Sequence, residues 1–298
     1  MSNLQTDETV ERAIQYLSSK QCTNGGFCTY KMEYLEEPNP RDTFFAVSSF
    51  QLIGRDIPHR HQVKAYLHQV LGDLQTRLFS PDKILSQIHS KTPIVHSAYA
   101  FNYLYFPLYA LYQMDELDLD ESWLHILESL EIVLPEAIYP NESGANLPWL
   151  LRKVRTKKLG AIIGDRQQII EFVLSLKNQG GFAIQPNIID TYWSLALLKE
   201  LDSSLSQMDD TRQFIQRLQV PQTGFTLTES GILTHIEVVY AGIFASLLLQ
   251  MEIPYLDSAI QFVRICQMDR GGFARMPLGL PEIENTYRAL KIMKTFYS

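Results

Sequence analysis

One aligned position in this chain carries, repeat after repeat, a group that could move a proton or hold a ligand. It is filled by Asp42, His96, Asp190, Glu237 and Asn285. Short polar-then-aromatic runs follow it, as in Asp42-Thr43-Phe44-Phe45, Asp190-Thr191-Tyr192-Trp193 and Asn285-Thr286-Tyr287. A carboxyl in such apolar company can be held protonated by burial and nearby charge, which makes a general acid. His235, two residues before Glu237, adds an imidazole. A purely structural reading also fits, because Asp and Asn cap helices and acids suit the positive helix end. His96, His235 and Glu237 could in principle bind a metal. They come from separate segments without the close paired spacing of a metal site, so no metal or other cofactor is expected. Asp42, Asp190 and Glu237 could also supply the two carboxylates of a glycosidase.

Aromatic residues crowd the same regions. Tyr99, Phe101, Tyr103, Tyr105, Phe106, Tyr109 and Tyr112 fall in one segment, which Pro107 would kink or break. Phe44, Phe45, Tyr192, Trp193, Tyr240 and Tyr287 sit near the starts of others. Most aromatic stripes are core packing. So many phenols on one segment nevertheless suggest a lined cavity, since a buried Tyr hydroxyl usually needs a partner. Aromatic faces also stabilise cations, and an apolar pocket with a few polar groups suits a long hydrocarbon ligand.

The elements that position these residues repeat. Gln21-Cys22-Thr23-Asn24-Gly25-Gly26-Phe27 recurs as Leu176-Lys177-Asn178-Gln179-Gly180-Gly181-Phe182, Gln219-Val220-Pro221-Gln222-Thr223-Gly224-Phe225 and Gln267-Met268-Asp269-Arg270-Gly271-Gly272-Phe273. A degenerate copy ends at Phe79. The gap from Phe79 to Phe182 is about twice the others, so a further copy has decayed near residues 130 to 146. A helix with one apolar stripe precedes each signal, glycine stops it, and a helix apolar around its circumference follows. Six such helix pairs predict an all-α fold, an α/α toroid (α6-α6 barrel) forming one domain over residues 1–298, with the second helix of each pair inward.

Composition limits the partners. Net charge is -7 and 46% of residues are hydrophobic, so nucleic acid, which needs clustered cations, is not expected. The one basic run, Arg152-Lys153-Val154-Arg155-Thr156-Lys157-Lys158, reads as a solvated helix end. Three cysteines without a CxxC suit a reducing compartment. The polar N-terminus and the lack of a long apolar run predict a cytoplasmic protein without a transmembrane segment.

The Gln-rich helix end, Gly-Gly-Phe and acid-Thr-aromatic helix start resemble the prenyltransferase and squalene-oxidase repeat family. That group includes protein prenyltransferase β subunits and class II terpene cyclases. The likeness covers nearly the whole chain and is weakest from about residue 110 to 160. It implies the toroid, but a shared fold does not fix chemistry. Zinc prenyltransferases carry Asp-x-Cys at one inner helix start and His at a later one. Here Asp190 matches, Tyr192 stands at the Cys position and Asn285 at the His position. Ala183-Ile184-Gln185-Pro186-Asn187 holds no base for a diphosphate. Class II cyclases carry Asp-x-Asp-Asp-Thr with the middle Asp as proton donor. The chain reads Asn187-Ile188-Ile189-Asp190-Thr191, with Ile189 in the donor's place, and imitates the motif more closely at Glu282-Ile283-Glu284-Asn285-Thr286. Asp118-Leu119-Asp120-Glu121 lacks the preceding Gly-Gly-Phe and reads as a loop and helix start.

The resemblance therefore implies a terpene-cyclase-like enzyme acting on an isoprenoid or other polyene. Glu284 or Asp190 would be the acid. Asp42, His96, Tyr99, Tyr192, Trp193, His235, Glu237, Tyr240 and Tyr287 would contact substrate. The alternative is a non-catalytic isoprenoid or lipid binder, or a β-like subunit that works with a helical partner subunit.

Overall fold

The computed structural model describes residues 8–32, 34–77, 94–130, 132, 134, 143–161, 164, 166–232 and 234–297, the side chains of 75–77, 94–100, 143–146 and 297 apart. Twelve helices lie among the described residues. They are α1 (Glu8–Ser19), α2 (Pro40–Ile53), α3 (Arg60–Arg77), α4 (Ile94–Gln113), α5 (Glu121–Ser129), α6 (Ser143–Leu159), α7 (Arg166–Ser175), α8 (Ile188–Glu200), α9 (Asp209–Arg217), α10 (Ile236–Leu248), α11 (Leu256–Ile265) and α12 (Ile283–Tyr297). The chain divides into two compact units, residues 1–131 with 267–298, and residues 132–266.

Within the first unit α2 packs against both α4 and α12, and within the second α8 packs against both α6 and α10. Of these, α2, α4, α8, α10 and α12 are helices expected to face inward. Their sequences explain the difference from their neighbours. On α10 the buried residues run almost unbroken from Val238 to Ile243, whereas α1 buries only Val10, Ala13, Tyr16 and Leu17, one stripe at helical spacing. α4 is continuous through Pro107, so the expected break does not occur. Phe44, on α2, lies 5.3 Å from Phe106 and 6.1 Å from Tyr105 between ring centroids. Packing of this kind offsets the hydrogen bond and the ring clash that an internal proline costs, about 3 kcal/mol.

The Gly-Gly-Phe segments are small antiparallel hairpins. β1 (Lys177–Asn178) pairs with β2 (Gly181–Phe182), and β3 (Gln219–Val220) with β4 (Gly224–Phe225). Single bridges join Gln21 to Phe27 and Gln267 to Phe273. Each hairpin packs on the first helix of the next pair, and its glycines are required by that approach. A Cβ on Gly25 would land on the Gln62 carbonyl of α3, and one on Gly180 on the Asp210 carbonyl of α9. The next glycine faces an aromatic ring, Tyr66 for Gly26 and Phe214 for Gly181. The last hairpin makes the same joint with the first helix: Gly271 abuts the Arg12 carbonyl and Gly272 the Tyr16 ring of α1. Arg12 donates to the carbonyls of Met268 and Asp269 at 3.1 Å, and the Tyr16 hydroxyl to that of Pro281 at 2.9 Å.

The conserved-looking polar letters of the repeat are also joints. Gln21 Nε2 donates to the carbonyl of Pro58 at 2.8 Å, just before α3, and Gln267 Nε2 to that of Thr9 at 2.8 Å, in α1. Phe27 N donates to Thr43 Oγ1 at 3.0 Å, Phe182 N to Thr191 Oγ1 at 3.2 Å, and Phe273 N to Thr286 Oγ1 at 3.0 Å. The threonine thus ties these three hairpins to the helices that follow them, while at the β3–β4 hairpin Val239 stands in its place and Thr234 Oγ1 donates to the Phe225 carbonyl.

Two sequence expectations are corrected here. The basic run is not a solvated helix end: on α6, Lys153 is fully buried with its ammonium 3.8 Å from the Trp149 ring centroid, and Lys157 is buried too. Arg155 and Lys158 pair with Glu200 of α8 at 2.8 and 3.0 Å. The physical reason is that α6 packs along α8, so its charges find partners inside the unit. The row of acids, second, does not occupy the cap position. Asn39 and Asn187 are the N-caps, accepting from the amides of Asp42 at 2.8 Å and Asp190 at 2.9 Å, three residues inside. Asp120, in contrast, caps α5 and accepts from Trp123 N at 3.0 Å, as its sequence implies. Among the described residues no helix is long and apolar enough to cross a membrane.

Candidate functional site

Asp42 and Asp190 hold equivalent positions and differ in what surrounds them. Asp42 Oδ2 accepts from Thr29 N at 2.7 Å and from Asn39 Nδ2 at 3.0 Å, so it ties down the loop after the first hairpin. Asp190 Oδ2 accepts from Asn187 Nδ2 at 2.7 Å. Its Oδ1 is buried and, among the described residues, has no hydrogen-bond partner. The side chain is only 4% exposed. Burial pushes the Asp190 carboxyl above its ordinary range; the Asn187 amide opposes this, and the charge of Glu237 on α10 reinforces it.

One turn further along α8, Ser194 Oγ is likewise buried without a hydrogen-bond partner among the described residues. Positions i and i+4 share a helix face. Two unsatisfied polar atoms one turn apart are uncommon in a native core, where nearly all buried polar atoms are paired. Nothing in the sequence motif singles out Ser194; only its burial beside Asp190 does.

Aromatic rings line up on the same helix and on α10. Tyr192 and Tyr240 cross edge to face with centroids 5.5 Å apart, and their hydroxyls are 3.4 Å apart. Trp193 lies 5.0 Å from Tyr192, and Phe244 lies 4.5 Å from Tyr240. The structure thus brings Asp190, Tyr192, Trp193, Glu237 and Tyr240 together on α8 and α10, within one unit. Register shifts Glu237, however. Val239 N donates to the carbonyl of His235, as Thr43 N does to Asn39 and Thr191 N to Asn187. Val238 is therefore the true counterpart of Asp190, and His235 fills the cap position without a side-chain cap bond. The same register makes Phe44, Tyr192, Tyr240 and Tyr287 one aromatic row.

In the other unit, Glu284 meets an environment unlike that of a proton donor. It is ion-paired with Arg41 of α2 and, at 2.8 Å, with Arg288 on its own helix. A carboxylate clamped by two guanidiniums serves as an acceptor, and these pairs tie α12 to α2. Asn285 Nδ2 donates to Glu282 Oε2 at 2.7 Å. Tyr287 stacks obliquely on Phe45 at 5.4 Å. Tyr112 is exposed, so the aromatic segment of α4 does not face inward throughout. His96 and Tyr99 lie on α4 with side chains outside the described residues, as does the degenerate copy ending at Phe79.

Zinc does not fit the two positions at which a zinc prenyltransferase would hold it. The phenol of Tyr192 meets Tyr240, and the amide of Asn285 meets Glu282. Neither group supplies the thiolate or imidazole that such a site uses. Among the described residues no three His, Cys, Asp or Glu side chains converge as a metal-binding group.

Comparison with known proteins agrees with the helix-pair architecture. A solved structure titled Candida albicans protein geranylgeranyltransferase-I complexed with GGPP is similar in fold, with a TM-score of 0.57 and 13% sequence identity over 95% of this chain and 90% of that one. No curated protein shows significant sequence similarity to the chain. Residues 1–83 and 148–297 match the family described as the prenyltransferase alpha-alpha toroid domain. With most of its length matched, this chain is a member of the prenyltransferase alpha-alpha toroid family.

Proposed function

We propose that this protein binds an isoprenoid or related polyene against the aromatic residues of α8 and α10 and starts carbocation chemistry by protonating it from Asp190. The observation that carries the reading is the buried Asp190 carboxyl with one oxygen unsatisfied, on the same helix whose Tyr192 hydroxyl meets that of Tyr240. In the step, the Asp190 proton moves to an alkene carbon, the π electrons form the new C–H bond, and the adjacent carbon becomes cationic. The carboxylate left behind keeps the Asn187 amide as a donor. Tyr192, Trp193 and Tyr240 offer ring faces to the cation, each worth about 0.5–2 kcal/mol. Loss of a proton from the product cation restores the acid.

A second reading is a non-catalytic binder or a β-like subunit with a helical partner. It is favoured by the last repeat, where Glu284 and Asn285 are both engaged in scaffold contacts. The GGPP bound in the fold relative and squalene are suitable probes for both readings. The test is incubation of each in D2O with the wild type, Asp190→Asn and Glu284→Gln, followed by mass spectrometry of extracts. Deuterium-bearing product from the wild type and Glu284→Gln, absent with Asp190→Asn, supports the enzyme. A probe retained tightly and released unchanged supports the binder. Product formed equally well by Asp190→Asn refutes the assigned acid.

A further inference from the structure

Two of the three cysteines face each other in the first hairpin. Cys22 Sγ and Cys28 Sγ are 3.3 Å apart, and both are buried. The hairpin backbone fixes this approach: Cys22 N donates to the carbonyl of Gly26 at 2.8 Å and Cys28 N to that of Lys20 at 3.1 Å. The bridge between Gln21 and Phe27 places the two cysteines as diagonal neighbours across the strands. The corresponding pairs elsewhere are Asn178 with Ala183, Val220 with Thr226 and Met268 with Ala274. Among the described hairpins, both members carry sulfur in the first alone. A disulfide requires the sulfurs to close to about 2.05 Å, a movement within reach of side-chain torsion.

We propose that Cys22 and Cys28 are a reversible oxidation site, forming an intrachain disulfide that latches the first Gly-Gly-Phe hairpin. The oxidant is a small-molecule disulfide such as oxidised glutathione. One cysteine thiolate attacks it, forming a mixed disulfide and releasing one glutathione thiolate. The second cysteine thiolate then attacks the protein-side sulfur and expels the second glutathione. The two protons lost by the cysteines are taken up by the released thiolates. Burial pushes the Cys22 thiol up to about 12, with its bond to Cys28 adding to the effect. Reaction therefore proceeds through local opening of the hairpin, whose tip residues Thr23 and Asn24 are exposed. The latch bears on the inner-helix start, because Thr29 N, next to Cys28, donates to Asp42, and Phe27 N donates to Thr43.

The test is incubation of the purified full chain with excess oxidised glutathione, then denaturation, alkylation and intact-mass and peptide analysis. The expected product has one alkylatable thiol, Cys266, a mass lower by two hydrogens before alkylation, and a Cys22–Cys28 cross-linked peptide that dithiothreitol releases. Hydrogen exchange across residues 20–30 should slow in the oxidised form. Cys266→Ser should still form the link. Cys22→Ser should not, and if that variant fails to fold, Cys22→Val reproduces the residue of the β3 hairpin and serves in its place. Three alkylatable thiols after prolonged oxidation, a link that includes Cys266, or glutathione adducts as the stable end product would each overturn the proposal.

Discussion

Alanine at Gly271 should weaken the joint between the last hairpin and the first helix, and its cost can be separated into two parts. Gly271 has φ +92°, a conformation an L-residue adopts only under strain, costing about 1–2 kcal/mol. The added methyl would also overlap the Arg12 carbonyl on α1. Overpacking of that kind costs about 1–3 kcal/mol when the neighbours must shift. The total, about 2–5 kcal/mol, is a large part of a typical folding stability of about 5–15 kcal/mol. Gly54 is the control. It ends α2 with φ +70° and has nothing within 4 Å of an added methyl, so Gly54→Ala should carry only the first part. Urea and thermal unfolding followed by circular dichroism read both variants. At an unfolding entropy of about 2.1 cal/mol/K per residue, the expected loss for Gly271→Ala is roughly 3–8 °C in Tm. Equal losses in the two variants would show that α1 does not press on the hairpin, and the joint inferred from the glycines would be wrong.

Other substitutions separate scaffold from site. Asp190→Asn should abolish product while changing how stability depends on pH. The native pKa of Asp190 lies above its ordinary 3.8, so the native state holds the proton more tightly than the unfolded chain. That contribution is full below the ordinary value and is lost as pH rises through the native one. Urea titrations from pH 3 to neutrality should therefore show the variant gaining on the wild type with rising pH, and an opposite trend would contradict the assigned burial. Glu284→Gln should retain product but lose about 1–3 kcal/mol, since a charged acceptor is taken from Arg41 and Arg288; loss of product at unchanged stability would return Glu284 to the chemistry. Thr191→Val should cost about 1–3 kcal/mol by leaving the Phe182 amide unsatisfied in the core, read by the same unfolding assay, and a neutral result would remove the threonine tie.

The helix pairs were legible in the sequence because glycine and apolar periodicity are local signals. α8 begins two residues before Asp190, and α12 two before Asn285. What the repeat's threonines and glutamines do was not legible, since the partners of Thr43, Thr191 and Thr286 are hairpin amides and those of Gln21 and Gln267 lie at the start of another helix. The buried lysines of α6 escaped for a related reason: charge runs read as solvated until the neighbouring α8 is known. At the site, composition marked both Asp190 and Glu284. Only three-dimensional contact separates them, one left with an unsatisfied oxygen and the other clamped between arginines. The register of Glu237 was misread because α10 lacks the polar-Thr pair that marks the other helix starts: Val238 and Val239 stand in those places, and Glu237, one residue earlier, is the nearest acid.

The placement of the ligand is open to one direct measurement. A geranylgeranyl diphosphate analogue with a photoreactive isoprenoid tail, irradiated with the purified chain and mapped by peptide mass spectrometry, should label α8 and α10 around Tyr192, Trp193 and Tyr240. Excess squalene or unmodified diphosphate should suppress that labelling. Labelling confined to the exposed outer helices, or unaffected by competitor, would contradict an isoprenoid site beside Asp190.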